Sequence, residues 1–273
     1  MNALERWRRA LAGWAIPDEI LAAAPASPWG FPRELFRSRA ERTPAEPSAT
    51  TRVALDALGT RGDVLDVGVG GGATSLPLAA VATRITGVDE SAEMLTEFLA
   101  SAREAGVQAR TVEGRWPEAG PHAPTAEVVV CGHVLYNAGE LEPFVRALDA
   151  HARRRVVVEI TSTHPLAWMG DLWRRFHGLE RPAGPSADLA VEAVGELGIG
   201  VRREDEARVP RSGGFERRDD AIAFIRRRLC LPSGRDGELA EALGGRLVER
   251  DGLWAAGPLE HRIVTMWWDR RAT

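Results

Sequence analysis

The sequence predicts an α/β protein built as a three-layer sandwich: a mostly parallel sheet with helices on both faces, plus further helices outside it. Three observations carry that reading. Between residues 48 and 160, short apolar runs alternate with amphipathic helical patterns. The runs, such as Val128-Val129-Val130 and Val156-Val157-Val158, are apolar throughout, as strands covered on both faces are. The chain of 273 residues, 44% of them hydrophobic, is long enough for one large domain with additions. It divides into a helical N-terminal cap, residues 1–47, and a main domain, 48–273. The main domain has a binding core at 50–160 and extra helices at 163–183 and 219–250.

The elements follow in order. Residues 1–47 read as short helices interrupted by prolines, with a rigid aromatic turn at Ser27–Pro32. Ser48 can cap a helix that Gly59 ends. Asp63–Val67 is a first strand, Ala73–Ala82 a helix and Arg84–Val88 a second strand. Met94, Leu95, Phe98, Leu99 and Ala102 share one face of a helix over Ser91–Ala105, closed by Gly106. Val107–Val112 and Glu127–Cys131 are the third and fourth strands. Leu141–His151 is a helix burying Leu141, Phe144, Val145 and Leu148, and Arg155–Ile160 is a fifth strand. Pro165–Phe176 then carries an apolar stripe. Ser186 caps a helix to Leu197, Val201–Val209 is a sixth strand, and Asp219–Cys230 and Asp236–Glu249 read as helices. His261–Asp269 is a last strand.

Composition removes several chemistries. All 35 basic residues are arginine. A Schiff-base lysine, a phosphate-loop lysine and the tyrosine–lysine pair of short-chain dehydrogenases are therefore impossible. Cys131 and Cys230 stand far apart, and the six histidines show no ligand spacing, so we expect neither disulfide framework nor metal. The two lone cysteines suit a cytoplasmic protein. The N-terminus lacks the apolar core of a signal peptide, and no apolar run is long enough to cross a bilayer. A formal net charge of −4 argues against a nucleic-acid partner. The runs Arg153–Arg155, Arg217-Arg218 and Arg226–Arg228 read as solvated faces and strand flanks. We expect a monomer or homodimer.

The densest chemical signal is VLDVGVGGGATSLPLA, Val64 to Ala79. A strand runs into Gly68, Gly70, Gly71 and Gly72, whose missing side chains let backbone approach a ligand. Read as G-x-G-x-x-A, this fits a dinucleotide fingerprint, though weakly. The next strand ends in Asp89, an acid placed to accept two ribose hydroxyls, which NAD sites and other nucleoside sites share. Asp66 separates the candidates. A carboxylate two residues before the first glycine would repel a pyrophosphate but would welcome a cationic amino-acid group.

At this point the sequence resembles the class I S-adenosylmethionine-dependent methyltransferases. LDVGVGGG matches their D-x-G-x-G-x-G motif with Asp66, Gly68, Gly70 and Gly72; GVDES matches their second motif with Asp89. VEGRWPE, Val112 to Glu118, falls where their adenine loop lies, and AEVVVCGHVLYNAGELEPF looks like their fourth strand, its loop and the next helix. The resemblance spans roughly residues 50–160. It implies a Rossmann-like sheet of seven strands with the last one antiparallel, a role HRIVTMWWD could fill. It implies S-adenosyl-L-methionine as cofactor. The glycine loop would hold the methionine part, Asp66 would orient its amino group and Asp89 would bind the ribose. Many members carry Gly-Asp after the third strand, where this chain has Gly114-Arg115. An arginine cannot accept from the adenine amino group. We therefore assign the adenine to Glu113 or a backbone carbonyl, with Arg115 beside it and Trp116 either packing on the ring or filling core. Cys131, at the fourth strand's end, joins the cofactor set.

Methyl transfer from a sulfonium needs alignment more than a universal catalytic group. A base helps when the acceptor is protonated. His133 is the candidate, competing with a plain positioning role. Tyr136 and Asn137, the only tyrosine and one of two asparagines, are candidate substrate residues together with His164. Glu159, ending the fifth strand, reads as a further candidate or as a capping or ion-paired acid. The Trp-rich cap and the segment after the fifth strand would roof the pocket, though most tryptophans there read as glue. An apolar, aromatic roof points to a small organic methyl acceptor. The motif of nucleic-acid amino methyltransferases is not matched by Asn137-Ala138-Gly139. Two alternatives stand: an NAD-dependent oxidoreductase, and a non-catalytic S-adenosylmethionine-binding protein.

Overall fold

The structure, a computed structural model, describes residues 1–29, 46–208, 214–258 and 261–270. Helix α1 (Ala3–Ala12) opens with a reciprocal cap: Asn2 accepts from the Glu5 amide and Glu5 reaches back to Asn2. A short α2 (Asp18–Ala23) follows. Half of the Ser27–Pro32 turn, residues 30–32, lies outside the described residues. Ser48 caps α3 (Ala49–Leu58), as its sequence predicts.

Alternation then builds the sheet: β1 (Gly62–Val67), β2 (Ala82–Asp89), α4 (Ala92–Glu104), β3 (Ala109–Glu113), β4 (Ala126–Gly132), α5 (Leu141–His151) and β5 (Ala152–Thr161). Helices α6 (Gly170–His177) and α7 (Ala187–Glu196) precede β6 (Arg202–Arg208). Next come α8 (Arg218–Arg228), α9 (Asp236–Leu243), the strands β7 (Leu247–Arg250) and β8 (Leu253–Ala256), and β9 (His261–Asp269). Seven strands form one sheet in the order β3-β2-β1-β4-β5-β9-β6. The first five are parallel, while β9 runs antiparallel to both β5 and β6. The expected seven-stranded sheet with an inserted last strand is what the chain forms.

The apolar strands divide their residues between two faces. Val129, Cys131, Val156 and Val158 pack under α1, α5 and α7; Val128, Val130 and Val157 pack under α3 and α4 with Phe98. Full burial of each valine contributes about 1.5–3 kcal/mol. A third core lies off the sheet, where Trp173 and Phe176 of α6 meet Ile222, Ile225, Leu239 and Leu243 of α8 and α9. The arginine run at β5 flanks the sheet, with Arg153 on Glu127 and Arg155 between Asp56 and Asp269.

Two expectations are corrected. The helix read over Ala73–Ala82 is a single 3-10 turn, Leu76–Leu78. Pro77 has no N–H to give a helix, and the chain enters β2 already at Ala82. The helix read over Asp236–Glu249 stops at Leu243. Leu247–Arg250 turns through Asp251 (φ 52) and Gly252 (φ 78) and pairs back onto Leu253–Ala256. Two successive positive φ values are the tight hairpin turn that Asp-Gly favours.

Candidate functional site

The carboxyl ends of β1, β2 and β4 meet in one crevice. Gly68, Gly70 and Gly72 all have positive φ (71, 49 and 86). At Gly68 a Cβ would stand 2.2 Å from Val134 Cγ2, so the glycine loop and the loop after β4 touch directly. At Gly70 and Gly71 a Cβ would meet nothing within 4 Å. That open backbone is where a ligand can lie. Asp89 ties the arrangement together: Oδ2 accepts from Gly70 N at 2.9 Å and Oδ1 from Ser91 N at 2.9 Å. Each oxygen keeps a lone pair for a further donor.

Asp66 is 1% exposed, and neither carboxylate oxygen has a hydrogen-bond partner among the described residues. Burial pushes its pKa up to about 7; the charge of Asp89 adds to this, and the dipoles of Ser75 partly offset it. The Ser75 hydroxyl, also buried, is near enough to lower the acid's pKa but lies outside hydrogen-bond geometry. A carboxylate removed from water without donors is costly. Cys131 lies close by, fully buried, and burial together with the Asp66 charge raises its thiol pKa. It is a neutral wall residue.

On the other side, Glu113 pairs in register with Asp89, and Gly114 N donates to Asp89 O at 2.9 Å. Glu113 and Arg115 are exposed. Trp116 is buried, donates to Phe144 O at 3.2 Å and meets the His151 ring edge-on at 4.9 Å between centroids. Of its two sequence readings, core packing is the one its contacts describe.

In the loop after β4, His133 has a φ of 62, unusual for a non-glycine residue. Its N–H donates to Glu159 O at 2.7 Å, and its Nε2 stands 3.1 Å from Glu159 Oε1. Tyr136 is buried, donates to Thr161 O at 2.6 Å and stacks on Trp7 at 5.7 Å. Burial raises its phenol pKa. His164 lies edge-on to Tyr136 and stacks on Trp14 at 4.1 Å; burial holds its pKa down at about 4. Its Nδ1 accepts from Leu166 N at 3.3 Å, so this imidazole is neutral with its proton on Nε2. Trp7 and Trp14 donate to Ala138 O and Gly184 O, fastening the N-terminal segment to the sheet's loops. Asn137 is exposed at the end of the loop.

The crevice thus gathers Asp66, the glycines, Asp89 and Cys131, with Glu113 and Gly114 adjoining and His133 across the β4–β5 junction. Sequence reasoning missed Thr50 and Thr265. Thr50 Oγ1 donates to Glu159 Oε2 at 2.5 Å and lies 2.8 Å from Thr265 Oγ1. They come from α3 and β9, outside every motif. Among the described residues, no group of three or more His, Cys, Asp or Glu side chains could hold a metal ion.

The open glycine loop, the buried acid Asp66 and the acid Asp89 stand together at the carboxyl ends of β1 and β2, the edge where parallel sheets take ligands. Residues 64–154, about a third of the chain, match the family model for a methyltransferase domain. The fold is similar to that of the BH2331 protein from Bacillus halodurans (14% identity, TM-score 0.53, covering 82% of this chain and 97% of that one). It is also similar to the YcgJ protein of Bacillus subtilis (14%, 0.52, 82% and 99%). A third is magnesium protoporphyrin IX methyltransferase from Synechocystis with bound SAH (14%, 0.50, 97% and 93%). Comparison with curated proteins found no match.

Proposed function

We propose that the chain transfers a methyl group from S-adenosylmethionine to an oxygen, nitrogen or carbon nucleophile of a small organic molecule. One observation carries the residue assignment: a buried carboxylate without a partner, Asp66, beside backbone open at Gly70 and Gly71. In this reading Asp66 receives the cofactor's amino group, Gly68, Gly70 and Gly72 hold its methionine part, and the free lone pairs of Asp89 accept the ribose hydroxyls. Glu113 or the backbone beside it accepts from the adenine amino group, with Arg115 at the rim, Trp116 behind and Cys131 beneath. The cofactor supplies an activated methyl. The protein aligns the acceptor with it and excludes water.

His133 is placed to take a proton from the acceptor. Asn137 is exposed and can offer its amide to substrate, while Tyr136 and His164 shape the wall behind it. A small acceptor is favoured by the net charge of −4 and by Trp7 and Trp14 closing over the loops. No described helix is long and apolar enough to cross a membrane. We also place the protein in the cytoplasm, where its two free cysteines would stay reduced. An NAD-type dehydrogenase is disfavoured because Asp66 would face a pyrophosphate.

Calorimetric titration with S-adenosylhomocysteine and with NAD tests the reading. We expect binding of the first and none of the second. Absence of S-adenosylhomocysteine binding at millimolar concentration overturns it. Methyl turnover with an acceptor then separates an enzyme from a non-catalytic binder.

A further inference from the structure

His133 does not sit in its crevice by default. A left-handed conformation at a residue with a side chain costs about 1–3 kcal/mol and persists only where the surroundings hold it. Here the holder is Glu159, the residue opposite the end of β4. Its carbonyl takes the His133 N–H at 2.7 Å, and its Oε1 lies 3.1 Å from Nε2. The Glu159 carboxylate is itself buried, 7% exposed. Its Oε2 accepts the Thr50 hydroxyl at 2.5 Å, and Thr50 lies 2.8 Å from Thr265, both threonines being buried. Thr50 has one proton and gives it to Glu159, so Thr265 is the donor to Thr50. A file of groups from β9, α3 and β5 therefore ends on one imidazole nitrogen. The His133 side chain is 46% exposed, which leaves its other nitrogen accessible.

The chemistry of the pair is directional. With Glu159 ionised its carboxylate only accepts, which puts the hydrogen on Nε2 and the lone pair on Nδ1. A general base needs that lone pair facing its substrate and a carboxylate behind it to steady the imidazolium. We propose that Glu159, fixed by Thr50 and Thr265, is the positioning residue that sets His133 as a base through Nδ1, and that the acceptor is an O–H or N–H nucleophile. This rests on the methyltransferase reading and narrows its acceptor class. As the methyl bonds to oxygen or nitrogen, the bond from sulfur breaks and its electron pair stays on sulfur. The X–H proton passes to Nδ1, giving an imidazolium next to Glu159.

Long-range ¹H–¹⁵N spectra of the ¹⁵N-labelled protein with S-adenosylhomocysteine bound, recorded at alkaline pH, test this. His133 is assigned by the signals lost in His133→Gln. In the wild type we expect the Nε2–H tautomer. In Glu159→Gln the amide keeps its carbonyl toward Thr50 and turns its NH₂ toward His133, so the tautomer shifts mainly to Nδ1–H. Thr50→Ser, which keeps the hydroxyl, leaves the wild-type pattern in place and guards against reading a folding defect as a tautomer effect. S-adenosylhomocysteine affinity should stay within about twofold in Glu159→Gln, since Glu159 holds no cofactor group. A wild-type His133 with its proton on Nδ1, or a pattern unchanged in Glu159→Gln, overturns the positioning role. A product whose labelled methyl is bonded to carbon or sulfur overturns the acceptor class. Failure of the wild type to bind S-adenosylhomocysteine instead removes the methyltransferase reading itself.

Discussion

Two buried carboxylates stand at the ends of strands in the same sheet, and they are handled in opposite ways. Asp66, inside the end of β1, has no hydrogen-bond partner among the described residues, and its pKa is pushed up to about 7. Glu159, near the end of β5, lies against a threonine hydroxyl and an imidazole. Around Asp66 only the Ser75 dipoles help, outside hydrogen-bond geometry, and in the proposed reading the remaining partner is a ligand. The β4–β5 end is complete without ligand and prepares a side chain. At the β1–β2 end no cation faces Asp66 among the described residues, and in the proposed reading the ligand supplies one. The expected signatures differ: substitutions at Asp66 weaken binding while relieving the fold of a buried charge, whereas substitutions behind Glu159 cost stability and leave binding alone.

The largest effect is expected from Asp66→Asn. Losing a buried charge that, in the proposed reading, meets the ligand's amino group should weaken S-adenosylhomocysteine binding by about 2–4 kcal/mol, roughly thirtyfold to a thousandfold in Kd. The same substitution should raise the melting temperature at neutral to alkaline pH. Asp66 ionises at about 7 in the fold against 3.8 unfolded, a cost of order 4 kcal/mol once it is charged. Calorimetry with thermal melts checks both; tighter binding or a lower melting temperature would break the contrast. Asp89→Ala comes next. It removes the ribose acceptors and the ties to Gly70 N and Ser91 N, and we expect about 1.5–3 kcal/mol of lost affinity with a well-folded protein.

A pH series tests the same acid without mutation. The free site holds Asp66 protonated below about 7, whereas the cationic ligand needs it ionised. Binding therefore releases a proton, and S-adenosylhomocysteine affinity should fall up to about tenfold for each pH unit below 7 and level off above it. The groups bearing on Asp66 are Asp89, Ser75 and Cys131; Cys131 stays neutral across this range because its pKa is raised. Stability of the unliganded protein should run the other way. The penalty is absent below the unfolded value of 3.8, grows as pH rises and is complete above about 7. In Asp66→Asn both dependences should flatten, and their persistence there would assign the titration to another group.

Legibility in the sequence followed the range of the interactions. The sheet was readable because apolar strands and capped helices are local patterns: Ser48 and Ser186 each cap where the sequence places them, and the helix read from Ser91 begins there. Asp66, the glycines and Asp89 were readable because a strand-turn-helix ligand loop compresses its chemistry into a few residues. The Ala73–Ala82 helix failed because one proline outweighs favourable neighbours. The β7–β8 hairpin was missed although Asp251-Gly252 announces it, because the residues before it also suit a helix. The file behind His133 was out of reach altogether. Thr50 and Glu159 are 109 positions apart, and Thr50 and Thr265 are 215. No spacing in a single sequence signals that such hydroxyls will meet.

Thr265→Val should produce the smallest effect, and it sharpens the comparison from the well-partnered side. Valine keeps the shape and β-branching that suit a central strand. It removes only the donor to Thr50, whose own proton still reaches Glu159. The Thr50 oxygen loses one partner while Glu159 loses none, so the cost should be about 0.5–1.5 kcal/mol of stability, a shift of a few degrees in melting temperature. S-adenosylhomocysteine affinity and its pH dependence should stay as in the wild type, because nothing at the β1–β2 end has changed. If affinity dropped with stability, the two ends of the crevice would be coupled, and the separation between a prepared side chain and a reserved acid would not hold.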